Sequence, residues 1–92
     1  MTMTGREKFY SVVNQFDCLK PLWDQQNHEI RLDAFEQRLG TMSTGERHLA
    51  KFMANVWFHD DKYNFSLIDA MGTVYGDFKA VIEDWVKNPY WP

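Results

Sequence analysis

Ser43-Thr44-Gly45-Glu46-Arg47-His48-Leu49-Ala50-Lys51-Phe52-Met53-Ala54-Asn55-Val56-Trp57-Phe58 is the stretch that decides the fold. Ser43 and Glu46 have the spacing of a capping box, in which the serine oxygen accepts a first-turn N–H and the glutamate reaches back to the serine N–H. Leu49, Phe52, Met53, Val56 and Trp57 then recur at i, i+3, i+4, i+7 and i+8, one face of an α-helix. The stretch predicts a helix with a defined start, a buried face and a solvent face. It announces no chemistry.

Upstream, Asp33 and Glu36 have the same capping form. They predict a helix over Ala34–Leu39, with Gly40 as a left-handed stop. Before it, His28–Leu32 alternates polar and apolar residues. It has no obvious partner strand, and an isolated strand is unstable, so a connector is expected. Asp24–Glu29 reads as a loop, and Leu22 and Trp23 as apolar anchors. Thr4 predicts the cap of a first helix reaching about Lys20, with Phe9, Val12, Val13, Phe16 and Leu19 as its stripe. Pro21 ends it.

Downstream, His59-Asp60-Asp61-Lys62 reads as a polar turn. Ser66 and Asp69 predict the start of a short helix carrying Leu67, Ile68 and Met71, closed by Gly72. A last helix opens at Thr73 with Val74, Phe78, Val81, Ile82 and Trp85 as its stripe. A start at Asp77 is the alternative, since it avoids the roughly 1 kcal/mol that Gly76 costs inside a helix. Asn88-Pro89 stops it, and Tyr90-Trp91-Pro92 forms an aromatic tail. Helices joined by short turns imply helix-on-helix packing. The expected fold is all-α: one compact domain, residues 1–92, of four to five helices.

Composition narrows function by exclusion. An apolar content of 45% argues against disorder. An aromatic content of 16% lets a short chain bury much area and favours a recognition surface. The net charge of −3 argues against general nucleic-acid affinity, which rests on Lys and Arg neutralising phosphates. The negative excess lies in the C-terminal third, where Asp60, Asp61, Asp69, Asp77, Glu83 and Asp84 face only Lys62, Lys79 and Lys87. Cys18 is the sole cysteine, so no internal disulfide forms and a reducing compartment fits. No stretch approaches the length of a membrane span. The segment Met1–Lys8 lacks the apolar core of a signal peptide. A cytoplasmic location is expected.

Catalytic chemistry finds little support. His28, His48 and His59 are scattered, and adjacent residues such as His59-Asp60-Asp61 rarely converge on one ion. Cys18 falls at the predicted C-terminus of the first helix, where a thiolate is disfavoured. Asp60-Asp61 and Glu83-Asp84 are sequence neighbours, and neighbours on a helix point apart. No phosphate loop or nucleophile elbow is present. Neither an enzyme nor a bound cofactor or metal is expected.

Two surfaces remain as candidates. Arg47, Lys51, Ala54 and Phe58 project together, opposite Leu49 and Trp57, with Arg38 nearby. This basic stripe with an aromatic end suits a phosphate backbone or an acidic protein surface. The bland alternative is solvated bases, with Phe58 packed under the next loop. Tyr90 and Trp91 form the other candidate, since Trp and Tyr dominate binding hot spots. The alternative there is closure of the core. Leu32–Phe52 also has the order of a helix-turn-helix, with Phe35, Leu39 and Leu49 as core. Against it, Glu36 and Glu46 stand where small or aliphatic residues are buried.

The pattern Gly45-x-x-x-x-Ala50-x-Phe52-x-x-x-x-Trp57, followed by Phe65-x-Leu67-x-Asp69, resembles a family of short uncharacterised helical proteins of proteobacteria and their plasmids. The likeness covers residues 34–75. It implies a helical fold and carries no active site. In size, acidity and lack of motifs the chain is also similar in character to small phage inhibitors such as anti-CRISPR proteins. The expected function is therefore a non-enzymatic inhibitor or adaptor that docks on a host protein or protein–RNA complex. The alternatives are a small DNA-binding regulator and a homodimer.

Overall fold

Ser43 is extended (φ −62°, ψ 164°) and caps the third helix as its spacing requires. Glu46 N donates to Ser43 Oγ at 3.2 Å, and Ser43 N donates to Glu46 Oε1 at 3.0 Å. In the computed structural model, which describes residues 3–92, five α-helices and one small hairpin follow in order. They are α1 (Gly5–Val13), β1 (Trp23–Asp24), β2 (Glu29–Ile30), α2 (Leu32–Leu39), α3 (Thr44–Phe58), α4 (Leu67–Thr73) and α5 (Gly76–Lys87). Met1 and Thr2, the first residues of the segment read for an export signal, lie outside the described residues. No helix among those described is long and apolar enough to cross a membrane.

The helix α3 is the axis of the molecule. Leu49, Ala50, Met53 and Ala54 are fully buried. The expected solvent face is much reduced, because every residue from Gly45 to Phe58 is buried or half-buried. Ala54, expected on the outer stripe, lies in the core. Capping and periodicity set the start and the most apolar face of a helix, but its neighbours decide how much of the rest is covered. Here the aromatics of α1 and the hairpin close on Trp57, while Phe65 and Trp85 close on Phe52.

The first helix is shorter than its apolar spacing suggested. Thr4 caps it with a full capping box, but α1 ends at Val13. Beyond it, Gln15 N and Phe16 N bond three residues back, to Val12 O and Val13 O. The chain then tightens into a 3₁₀ turn over Lys20–Leu22, with Pro21 in its first turn. Two β-branched valines weaken the helix here, and the Asn14 amide pairs with that of Gln25. Cys18 therefore lies outside any helix, beside Glu46 at the start of α3.

His28–Leu32 also differs from expectation, because Trp23-Asp24 is its partner strand. Trp23 pairs with Ile30 and Asp24 with Glu29 in an antiparallel ladder. Asp24 holds the turn, its Oδ1 accepting from Asn27 N at 3.2 Å and its Oδ2 from Asn27 Nδ2 at 2.8 Å. His28 completes the turn with φ 54°. So small a ribbon is marginal alone. Trp23 anchors it, with ring centroids 5.4 Å from Phe9, 5.9 Å from Phe35 and 6.1 Å from Trp57.

The ends of α2 need neither expected device. Arg31 precedes its first turn without a side-chain cap, and Glu36 accepts from Tyr63 Oη at 3.0 Å instead of closing on Asp33. Gly40 is right-handed (φ −68°). The terminal carbonyls of α2 are satisfied from elsewhere: Thr41 Oγ1 donates to Arg38 O, and Arg47 Nε donates to Leu39 O, each at 3.0 Å. Ser66 caps α4 through Asp69 N, and this helix runs through Gly72 to Thr73. The last helix opens at Gly76, later than Thr73, because Val74 and Tyr75 are extended. Gly76 has φ +59°. It bears the left-handed turn at the mouth of the helix, not a penalty within it.

The tail folds back. Trp85 Nε1 donates to Tyr90 O at 2.9 Å. The Trp91 backbone lies so close to Gly5 that a methyl group there would collide with the Trp91 carbonyl oxygen.

Candidate binding groove

The residues singled out from the sequence do not form a basic stripe facing solvent. Arg47 turns inward, its Nε on Leu39 O and its Nη2 on Met42 O at 3.1 Å, so its charge closes the α2–α3 connection. Lys51 and Phe58 are half-buried, and Arg38 is exposed in the last turn of α2. The Nζ of Lys62 lies 5.4 Å from the Phe58 ring centroid and 5.9 Å from that of Tyr63. Tyr90 is half-buried, and its hydroxyl is buried without a hydrogen-bond partner. Burial, then the Asp84 charge, pushes that phenol up to about 12. Trp91 is 47% exposed.

Trp91 belongs to a groove of about 400 Å³ between the end of α3, the loop after it, and α5. Phe52, Phe65, Trp85 and Trp91 form its walls, and Asp60 and Asp61 stand among its lining residues. The Trp85 and Trp91 rings are nearly perpendicular (83°) with centroids 5.1 Å apart, and His59 lies 4.4 Å from Trp91 on the ring-centroid measure. Phe52 is 5.6 Å from Trp85 and 5.4 Å from Phe65. Asp61 fixes the loop, its Oδ1 accepting from Asn55 Nδ2 at 2.8 Å and Phe65 N at 2.7 Å. The Asn55 Oδ1 is buried and has no donor.

Through Leu67 and Val86 this groove continues into a second trough of about 290 Å³, between α4 and α5. Met71, Ile82, Glu83 and Lys87 complete the trough. Leu67 is 48% exposed, Val86 56% and, alongside, Ile68 86%. The result is a continuous apolar strip from Trp91 to Met71. Its charged lining is Asp60, Asp61 and Glu83 against Lys87. A further hollow of about 600 Å³ lies between Phe16, Ser43 and Tyr75–Phe78.

Sequence reasoning missed this strip, although a signal was present. Leu67 and Ile68 are adjacent on a short helix, so their side chains point about 100° apart. One stripe against the core cannot bury both.

Tyr10, Cys18, His28 and Tyr63 do not line the strip. The Tyr10 hydroxyl and His28 Nδ1 are 2.8 Å apart, and burial, helped by Arg6, lowers the imidazole pKa. Burial, then Glu46, pushes the Cys18 thiol up. Burial, then Glu36, raises Tyr63 to about 12. Among the described residues no group of three or more His, Cys, Asp or Glu side chains could hold a metal ion. None of the family models, curated proteins or solved structures compared with this chain matches it.

Proposed function

We propose that the protein is a non-enzymatic binding domain, an inhibitor or adaptor, and that the strip along α4, α5 and Trp91 is the surface it docks with. The observation that carries this reading is the exposure of Leu67, Val86 and Trp91 along joined grooves, with the exposed Ile68 next to Leu67 on α4, on a domain whose other large apolar residues, Met3 and Tyr75 apart, are covered or half-covered. Apolar surface left in one continuous patch marks an interaction site. The acidic lining points to a protein partner with a basic amphipathic segment, and to a partner protein over a second copy. In a two-fold dimer built on this strip, the same acid-bearing patch would be supplied by both copies, with little basic surface to complement it.

The regulator reading is less well supported. A recognition helix must present side chains to a groove, and no residue of α3 from Gly45 to Phe58 is more than partly exposed. The likeness to small anti-defence inhibitors accords with a compact binding domain, and a host protein or ribonucleoprotein is the kind of target that likeness implies.

The test is a capture experiment with paired variants. One carries Leu67→Asp and Ile68→Asp, the other Arg47→Glu and Lys51→Glu, and circular dichroism checks both for folding. A partner held by the parent chain and lost only by the first variant supports the reading. A partner indifferent to Leu67 and Ile68 removes it.

A further inference from the structure

The groove at the Trp91 end differs in kind from the trough beyond it. The trough is mainly aliphatic, with Leu67, Met71, Ile82 and Val86, and suits apolar side chains. The groove is walled by aromatic rings, with Asp60 and Asp61 among its lining residues. Aromatic faces attract cations, most strongly tryptophan. The Trp85 and Trp91 rings are nearly perpendicular, with His59 beside Trp91, so a flat group that stacks on one indole turns its edge toward the other. Asp60 and Asp61 supply negative charge, and among the described residues no Lys or Arg lines the groove.

We infer that this aromatic corner takes the guanidinium of an arginine side chain on the bound segment. The inference rests on the strip being the docking surface, and it names the side chain that the strip's end recognises. A guanidinium is planar, stacks on an aromatic face and carries five N–H donors in its plane. It fits π walls and carboxylates at once. An ammonium is a compact, strongly hydrated charge that gains less from a flat ring. A neutral apolar group would bring nothing to the acids.

The probe is butylguanidinium, titrated against the full chain at pH 7.5 while following the indole N–H resonances of Trp85 and Trp91. N-butylurea is the neutral isostere, and butylammonium the unstacked cation. Saturable shifts at both indoles are expected with butylguanidinium, weaker ones with butylammonium and the weakest with the urea. Trp91→Leu keeps apolar bulk without the π face and should weaken binding about threefold. Asp60→Asn should weaken it about twofold. Asp60 is the better choice because Asp61 also holds the loop.

Equal binding of the urea, tighter binding of the ammonium, absence of shifts at the two indoles, or indifference to both substitutions would overturn the assignment. The outcome separates from that of the capture experiment. Failure of the probe beside strip-dependent capture sinks only the arginine site. Success of the probe without strip-dependent capture sinks the docking strip, and with it the assignment to a bound segment, leaving a corner that takes small guanidinium compounds.

Discussion

The half of the molecule built from α1, the hairpin and α2 contrasts with the half built from α4, α5 and the tail. In the first, Phe9, Leu19, Leu22, Trp23 and Phe35 are essentially sealed against α3. In the second, Ala70, Val74, Val81 and Ile82 are sealed, yet Leu67, Ile68, Val86 and Trp91 remain open beside them. One half spends its apolar residues on folding, and the other holds some in reserve. A domain that only had to fold would gain from covering both, since burial contributes about 25 cal/mol per Å². The uncovered strip is therefore the part of the surface best explained by a second molecule.

Substitutions should separate the halves sharply. The largest effect belongs to Phe9→Ala, which removes a fully buried ring touching Trp23 and Trp57. It should cost about 3–5 kcal/mol by denaturant titration. A cost under about 1 kcal/mol would mean the aromatic cluster is not the core of this half. Ser43→Ala comes next, because it deletes one arm of the capping box on the central helix. About 1 kcal/mol is expected, visible as a lower denaturation midpoint with an unchanged slope.

A smaller, pH-dependent effect should arise at His28. Its imidazole is lowered from the ordinary value by burial and then by Arg6, so the unfolded chain takes the proton more readily. Stability is fully present above the unfolded value of about 6.5 and falls as pH drops below it. The decline stops once the folded form is protonated too. Asp24 and Glu46, lowered by hydrogen bonds from Asn27 and Ser43 respectively, add losses only in more acidic solution. Between pH 7.5 and 5, then, His28→Asn should flatten the slope of unfolding free energy. Asparagine tolerates the left-handed backbone at this position. An unchanged slope would remove His28 as its source.

The smallest stability change is expected at Ile68→Ser, on the open half. With its side chain 86% exposed, the substitution should alter the unfolding free energy by no more than about 0.5 kcal/mol. A loss above about 2 kcal/mol would show that Ile68 supports the fold, and the contrast between the halves would fail there.

What the sequence made legible was local. The capping boxes at Thr4 and Ser43, the cap at Ser66 and the stop at Asn88-Pro89 act within a turn or two, and all are in place. What it concealed depends on partners distant along the chain. The end of α1 involves Gln25, the hairpin requires Trp23 to find Ile30, and Gly40 needs no left-handed turn because Arg47 reaches Leu39. The same reach explains the misplaced basic stripe. A long guanidinium on a helix can point outward or cap a neighbouring helix, and periodicity does not distinguish the two. Trp91 was visible from the sequence as an aromatic in a tail, whereas the groove it completes needs Phe52, Phe65 and Trp85 to converge from three separate segments.

The central claim is that the open half meets the partner while α3 serves the fold. Hydrogen–deuterium exchange on the complex with a captured partner tests it most directly. The account predicts slowed exchange on partner binding across Leu67–Lys87 and the Tyr90–Trp91 tail, with α3 little changed. Slowing confined to Arg47–Phe58 and the Arg38–Met42 turn, with α4 and α5 unaffected, would contradict it.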